Sequence, residues 1–260
     1  PLLSSKLERL WNSILPENGK LVVIHSSLIH FAFPREGLQE ILVNSIKELS
    51  EKGWTVAIPA FTFSFCREGH YNYKYSKSET GILANWLLKA KGSLRTPHPI
   101  YSFAVIGPLA GELKACKNET TFGVGSTFEY FEYLNATYVM FGCGWKSCTQ
   151  FHRYEETLKV PYRYYKNFSG QVDFGSGVTQ TKVQMYVRNM ALDAKNDFQI
   201  PSASIQHFGK PRRTLFYKGV VESLSTSEIA KICKNQLQDD PLAWLADKQR
   251  VAFRLKTDNC

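Results

Sequence analysis

Residues 21–27 read Leu-Val-Val-Ile-His-Ser-Ser, a short apolar run that ends in an imidazole and two hydroxyl groups. Such runs are typical of strands that are buried on both faces of a parallel sheet. A helical pattern of apolar residues follows over 38–49, and a second apolar run occupies 54–59. Because a strand, a helix and a strand in this order form a parallel crossover, the sequence predicts an α/β fold.

The rest of the chain has two parts of different character. Helices are predicted over 7–15, 80–91, 109–116 and 127–134, and strands over 101–106 and 137–141. Between Pro161 and Val187 the residues alternate and are interrupted by glycine turns, which indicates antiparallel strands or a hairpin cap. Further short strands are predicted over 205–222. A last helix is predicted from Ser227, its cap, to Leu237. We therefore predict one domain, an α/β/α sandwich with a central, mostly parallel sheet and an antiparallel extension in the C-terminal part; residues 1–160 form the core and 161–260 a cap.

Two segments between these elements are predicted to be loops. Residues 66–78 are aromatic and polar without a period, which indicates a long loop at a binding site. Residues 95–100 contain Pro97 and Pro99, each of which lacks an amide donor and favours extended geometry before it. The strands predicted at 21–25 and 54–59 both end in hydroxyl-bearing loops, at the carboxyl ends where open α/β sheets bind ligands.

The strongest candidate for chemistry follows the strand predicted at 137–141. A helix is predicted from Ser147 or Thr149, either of which suits an N-cap, to Lys159. On that helix His152 and Glu155 share a face, so their side chains can contact each other. An imidazole oriented by a carboxylate suits a general base, but the same spacing also fits a surface helix with a chance ion pair.

Composition narrows the class of protein. The 260 residues are 43% hydrophobic, which is enough for a large core, and no apolar run is long enough to span a membrane. The first residues are amphipathic and too charged for a secretory signal, and six cysteines are scattered along the chain, so we expect the reducing cytoplasm. Cys143 and Cys148 have no further ligands at zinc spacing, and we expect no metal.

The net charge of +9 favours anionic partners, such as phosphates, nucleotides or coenzyme A. The charge is spread along the chain and no nucleic-acid-binding motif is present, so we expect small-molecule partners rather than nucleic acid. An ordinary basic surface is the alternative interpretation. The sequence leaves the oligomeric state open, with a homodimer as one alternative.

Six motifs resemble, in order, those of the aminoglycoside 3-N-acetyltransferase family over residues 21–156. The matching segments are His25-Ser26-Ser27, Pro59-Ala60-Phe61-Thr62, Gly81-Ile82-Leu83, Arg95-Thr96-Pro97-His98-Pro99-Ile100-Tyr101-Ser102-Phe103, Gly125-Ser126, and Gly142-Cys143-Gly144-Trp145 followed by Thr149, His152 and Glu155. The resemblance implies a single α/β sandwich, an acyl-coenzyme A donor such as acetyl-coenzyme A, and an amine acceptor. The last hundred residues match less clearly, and there we expect the acceptor side.

The resemblance also implies roles for individual residues. His152 is the expected general base, with Glu155 orienting its ring. Thr149 is expected to stabilise the oxyanion, to cap the helix, or both. Cys148 as an acyl-carrying nucleophile is the less favoured alternative, because the family pattern implies direct transfer. The residues expected to bind the coenzyme are His25, Ser26, Ser27, Thr62, Arg95, His98 and Ser102, and a structural role is the alternative for each.

The basic charge leads us to expect a nucleotide-linked amino sugar, of the kind used for bacterial surface polysaccharides, as acceptor. An aminoglycoside acceptor, and hence antibiotic resistance, is the second interpretation, and local carboxylates such as Glu68 and Glu79 favour it. A basic, non-enzymatic nucleotide-binding protein and a thioester hydrolase are alternatives of other classes.

Overall fold

The computed structural model describes residues 2–34 and 36–257. Its strands are β1 (Leu21–Ser26), β2 (Thr55–Pro59), β3 (His70–Asn72), β4 (Leu94–Arg95), β5 (Phe103–Ile106), β6 (Thr137–Phe141), β7 (Arg163–Asp173), β8 (Val178–Arg188), β9 (Arg212–Phe216) and β10 (Gly219–Ser225). Its α-helices are α1 (Leu2–Ile14), α2 (Leu38–Glu51), α3 (Phe65–Glu68), α4 (Ile82–Leu87), α5 (Ala110–Lys114), α6 (Thr127–Tyr133), α7 (Phe151–Thr157), α8 (Gln199–Ser204), α9 (Thr226–Asp239) and α10 (Lys248–Thr257).

A seven-stranded sheet in the order β4-β5-β2-β1-β6-β10-β9 forms the centre of the molecule. Strand β1 pairs in parallel with β2 and with β6, which confirms the predicted crossover. The strands outside this parallel centre, β4, β5, β9 and β10, all pair antiparallel. The predicted α/β architecture is therefore confirmed, with the parallel part confined to three central strands.

Hydrophobic side chains pack on both faces of this sheet and form two cores. Val22 and Ile24 of β1 face the core under α1, α2 and α4. Leu21 and Val23, the alternate residues of the same strand, face the core under α6, α7 and α9. Because successive side chains of a strand point to opposite faces, a strand between two helical layers must be apolar throughout. This explains the uninterrupted apolar run in the sequence.

The segment after residue 160 contributes to both sheets. Strands β7 and β8 pair over eleven residues each to form the predicted antiparallel hairpin, and β3 joins β7 in parallel. Strands β9 and β10 return to the central sheet, where β10 pairs with β6. The hairpin base therefore lies next to α7, the helix that carries His152.

Local differences from the predicted elements have identifiable causes. The predicted loop at 66–78 contains α3 and β3, because β7 offers a free edge to residues 70–72. Residues Ile205–Gly209 form a turn of π-helix that continues α8, where a strand was predicted. Helix α9 is capped by Ser225, which accepts a hydrogen bond from the Glu228 amide, and Ser227 lies inside the helix.

None of the helices in the described part of the chain combines the length and the apolar character that crossing a bilayer requires. The cysteines at 66, 116, 143, 148 and 233 are free thiols, and Cys260 lies outside the described residues.

Candidate active site

A cavity of about 330 Å³ opens where β1, β2 and β6 end. It is lined by His25, Ser26, Ser27, Ile58, Pro59, Phe61, Phe63, Thr80, Tyr101, Cys143, Ser147, Thr149 and His152. The predicted hydroxyl loop after β1 and the predicted catalytic segment after β6 therefore meet in one place. The parallel pairing of β1 with β6 causes this, because it brings their carboxyl ends to the same edge of the sheet.

The catalytic segment folds differently from the prediction before it reaches His152. Residues Trp145–Ser147 form a 3₁₀ turn, and α7 begins only at Phe151. Gln150 is the N-cap residue, and no side chain makes the capping hydrogen bond. The proposed capping role of Ser147 or Thr149 is therefore wrong, since both side chains line the cavity instead. The oxyanion role of Thr149 stays a prediction.

His152 and Glu155 form the predicted pair on one face of α7. His152 Nδ1 lies 2.7 Å from Glu155 Oε2, so Nε2 is the ring nitrogen left for a substrate in the cavity. The Glu155 side chain is 0% exposed and the His152 side chain is 20% exposed. The arrangement is that of a general base whose ring is fixed by a carboxylate.

Two aromatic rings flank the imidazole. The ring centroid of His152 lies 5.3 Å from that of Phe122 and 5.2 Å from that of Phe198. This packing restricts rotation of the imidazole. Burial lowers the pKa of His152 even though its bond to Glu155 acts in the opposite direction. The ring is therefore unprotonated near neutral pH and ready to accept a proton.

Glu155 keeps its charge inside the protein. Burial alone would raise its pKa, but Arg163 and the bond from His152 outweigh burial and lower the pKa to about 2. Arg163 Nη2 lies 2.8 Å from Glu155 Oε2. Tyr162 and Asn196 donate hydrogen bonds of 2.8 and 2.7 Å to Oε1, so both carboxylate oxygens are occupied.

The sequence of the chain matches a known protein family. A sequence profile described as aminoglycoside 3-N-acetyltransferase matches residues 23–238. The chain belongs to the aminoglycoside 3-N-acetyltransferase family. This confirms the resemblance seen in the six motifs and the prediction of an acyl-coenzyme A-dependent N-acyltransferase. No curated protein matches the chain in sequence.

Several solved structures share the fold over nearly the whole chain. Aminoglycoside acetyltransferase AAC(3)-IIb is 18% identical, with 94% of this chain and 98% of that chain covered and a TM-score of 0.78. AAC-IIIb in a binary complex with CoASH is 15% identical, with 91% and 95% covered and a TM-score of 0.74. The YokD protein from Bacillus subtilis is 15% identical, with 91% and 93% covered and a TM-score of 0.74. At these identities the likeness shows the fold alone.

In this family member, the first three predicted coenzyme-binding residues line the cavity. Ser26 and Ser27 follow the buried part of β1, and His25 precedes them. Burial lowers the pKa of His25 to about 4, so its ring is neutral at pH 7. Its Nε2 is buried and has no hydrogen-bond partner among the described residues.

The predicted coenzyme ligands Thr62, Arg95 and Ser102 lie inside the protein and do not line the cavity. Arg95 is 2% exposed. Its Nε donates to Ser102 Oγ at 2.8 Å, and its Nη2 donates to Thr62 Oγ1 at 2.9 Å and to the Ala60 carbonyl at 2.6 Å. A buried donor set of this kind fixes loops, which is the structural alternative, and a role of these residues in coenzyme binding stays a prediction.

His98 also has an internal role. Its Nδ1 accepts hydrogen bonds from the amides of Ile100 and Tyr101, at 3.0 and 2.9 Å, and its Nε2 lies 3.2 Å from Thr121 Oγ1. Burial lowers its pKa to about 3, so the ring stays neutral. His98 therefore acts on the cavity only by fixing the loop that presents Tyr101.

The structure does not support Cys148 as a nucleophile. Cys148 is 2% exposed and does not line the cavity. Burial raises the pKa of its thiol well above the usual range, so the reactive thiolate is not formed. The cysteine that does reach the cavity is Cys143, whose thiol donates to the His25 carbonyl at 3.4 Å, and burial raises its pKa to about 12.

Sequence reasoning missed the residues that complete the site from the last hundred positions. Tyr162, Arg163, Asn196 and Phe198 contact the pair of His152 and Glu155, but they follow no spacing that links them to it. The one available signal was Arg163, a basic residue in the segment directly after the predicted catalytic helix.

Proposed function

We propose that the protein transfers an acetyl group from acetyl-coenzyme A to an amine of an amino sugar, with His152 as general base. The observation that carries this proposal is the imidazole of His152, which is held by Glu155 on the wall of a cavity and whose pKa is lowered by burial. A histidine in this state can take a proton from the attacking amine, and general-base action of this kind contributes roughly 10²–10⁴ in rate.

The proposed reaction is a direct transfer. The amine nitrogen forms a bond to the thioester carbon, and His152 Nε2 accepts the proton that the nitrogen loses. The tetrahedral intermediate then collapses, the carbon–sulfur bond breaks, and His152 returns the proton to the leaving sulfur. Thr149 lines the same cavity, and its hydroxyl is the proposed donor to the oxyanion. Ser26 and Ser27 are the proposed contacts of the donor, and the cytoplasm, where acyl-coenzyme A occurs, is the proposed location.

The first candidate acceptor is an aminoglycoside. Solved neighbours with the same fold include AAC-VIa bound to sisomicin and a variant of AAC(3)-IVa in complex with a gentamicin. Family membership extends this acceptor class to the present chain as a proposal.

The second candidate acceptor is an anionic amino sugar, such as a nucleotide-linked one. No aspartate or glutamate occurs among the residues that line the cavity. Arg188 lies close enough to His152 to lower its pKa, and among the described residues no carboxylate forms an ion pair with it. Arg188 is not itself a cavity-lining residue, but its positive charge favours a phosphate group nearby over a polycation.

The test measures thiol release from acetyl-coenzyme A by the wild type and by His152→Ala, with sisomicin or a nucleotide-linked amino sugar as acceptor. Release that needs both an acceptor and His152 supports the proposed reaction, and the preferred acceptor decides between the candidates. Release without acceptor would identify a thioester hydrolase. Absence of release with either acceptor, in protein that binds acetyl-coenzyme A in a calorimeter, would overturn the proposal.

A further inference from the structure

Arg163 contacts both members of the catalytic pair. Its Nη2 lies 2.8 Å from Glu155 Oε2 and 3.3 Å from His152 Nδ1, and its side chain is 6% exposed. The guanidinium is also fixed from the other side. Nη1 donates to the Tyr186 carbonyl at 3.0 Å, and Nη2 donates to Asn196 Oδ1 at 2.8 Å. The cation therefore has one position, and that position is against the carboxylate that orients the base.

We propose that Arg163 is a positioning residue that keeps Glu155 ionised and His152 unprotonated in the resting enzyme. The inference rests on the role of His152 in the proposed function, but it concerns a different residue and a different property.

The physical reason is the balance of charge in a buried site. A carboxylate that loses contact with water is stable only when it is paired, and otherwise it takes up a proton. If His152 were its only partner, the carboxylate would favour uptake of a proton from solvent by the imidazole. The protonated imidazole would then be unable to act as a base. The guanidinium supplies the positive charge permanently, because an arginine does not lose its proton in proteins. An imidazolium beside it would be repelled.

The charged groups that face His152 are Glu155 on its own helix, Arg163 on β7 and Arg188 on β8. Three further titratable groups line the cavity. Burial lowers the pKa of His25 and raises those of Tyr101 and Cys143, so all three are neutral near pH 7. Of the two arginines, Arg163 is the one in direct contact with the pair.

An NMR titration tests the inference without any need for turnover. The ring signals of His152 are assigned by their loss in His152→Ala and are followed against pH in the wild type and in Arg163→Gln. We expect the wild-type ring to titrate below the unperturbed value of about 6.5, and the substitution to raise that midpoint by about one pH unit or more. The acid limb of the rate of acetyl transfer should move by the same amount.

The matched control is Arg153→Gln, because Arg153 lies next to His152 on helix α7. Arg153 is similarly buried, with 9% of its side chain exposed, and it pairs with Glu129 and Glu132 rather than with Glu155. We expect this variant to lose stability without moving the midpoint of His152. If Arg163→Gln behaves in the same way as this control, Arg163 is merely structural and the inference is wrong.

Two further results keep the inference open to refutation. A wild-type His152 that titrates at or above pH 7 would overturn it without any variant, even if Arg163→Gln fails to fold. Arg163→Lys keeps the charge, so its midpoint should stay near that of the wild type, and a shift as large as that of Arg163→Gln would contradict the inference. An inactive wild type with a low His152 midpoint would instead refute the proposed function and leave the role of Arg163 intact.

Discussion

Arg95 and Arg163 are both buried arginines near the same cavity, yet their side chains bind different partners. Arg95 lies in a motif that resembles the family pattern, and its donors are used by Ser102, Thr62 and the Ala60 carbonyl. Arg163 lies in no recognised motif and contacts Glu155 and His152. Arg95 thus fixes the shape of a loop, whereas the proposed role of Arg163 is to set the charge of the pair of His152 and Glu155. A motif can mark a residue that the fold needs, and a catalytic contact can lie outside every motif.

The largest expected effect is a loss of reaction rate without a loss of stability. His152→Ala should lower the rate of acetyl transfer roughly 10²–10⁴-fold, because the amine loses its proton acceptor. Its thermal midpoint should stay close to that of the wild type, since His152 is partly exposed and lies at the cavity. Steady-state rates and calorimetry on the same preparation check both statements. A variant that retains the wild-type rate would exclude His152 as the base.

The next effect belongs to Arg95. Arg95→Gln should lower the free energy of unfolding by about 2–4 kcal/mol, because several buried acceptors lose a charged donor. The Michaelis constant for acetyl-coenzyme A should change little in the fraction that folds. Urea unfolding and donor kinetics measure the two quantities. The opposite result, unchanged stability with a large rise in that constant, would show that Arg95 binds the phosphates of the coenzyme.

Acid should unfold the protein through the buried histidines. Burial lowers the pKa of His25 to about 4 and that of His98 to about 3. Below about pH 6.5 only the unfolded chain binds these protons, so each ring lowers the free energy of unfolding by up to about 1.4 kcal/mol per pH unit, down to its folded pKa.

Urea unfolding between pH 7 and pH 4 measures that slope. His98→Gln should reduce it, because one buried ring with a lowered pKa is then absent. Equal slopes in the wild type and in His98→Gln would mean that His98 does not titrate differently in the folded protein.

The smallest expected effect concerns the acceptor. Arg188→Gln should raise the Michaelis constant for a nucleotide-linked amino sugar about tenfold, the value of one charged contact of about 1.4 kcal/mol. With sisomicin the constant should stay unchanged or fall. The comparison needs acceptor kinetics at constant, low ionic strength. Equal changes in the Michaelis constants of both acceptors would show that Arg188 does not favour an anionic substrate.

The sequence predicted the parts of the molecule that depend on local pattern. The apolar run of β1 and the helical pattern of α2 predicted the parallel crossover, and the spacing of His152 and Glu155 predicted the contact between their side chains. The sequence did not predict the direction in which a side chain points. Whether Arg95 points into the cavity or into the protein depends on how the loop packs, and no spacing records that.

Long-range contacts were also beyond the sequence. Asn196 lies 41 positions from Glu155 and bonds to it only because the chain returns after the hairpin. Phe198 reaches His152 by the same return. The sequence had indicated that the last hundred residues vary most from the family pattern, and these residues supply several of the contacts around the pair.

The β7–β8 hairpin has a practical consequence for protein engineering. Its first residue, Arg163, forms an ion pair with Glu155. Its tip is a glycine turn, in which the amides of Gly175 and Gly177 donate hydrogen bonds to Asp173 Oδ1. Eleven residues of strand separate the two ends by about 35 Å. The tip is thus a remote site for inserting a peptide tag or a fluorophore. Changes of length at the base, in contrast, would move the arginine away from the catalytic carboxylate.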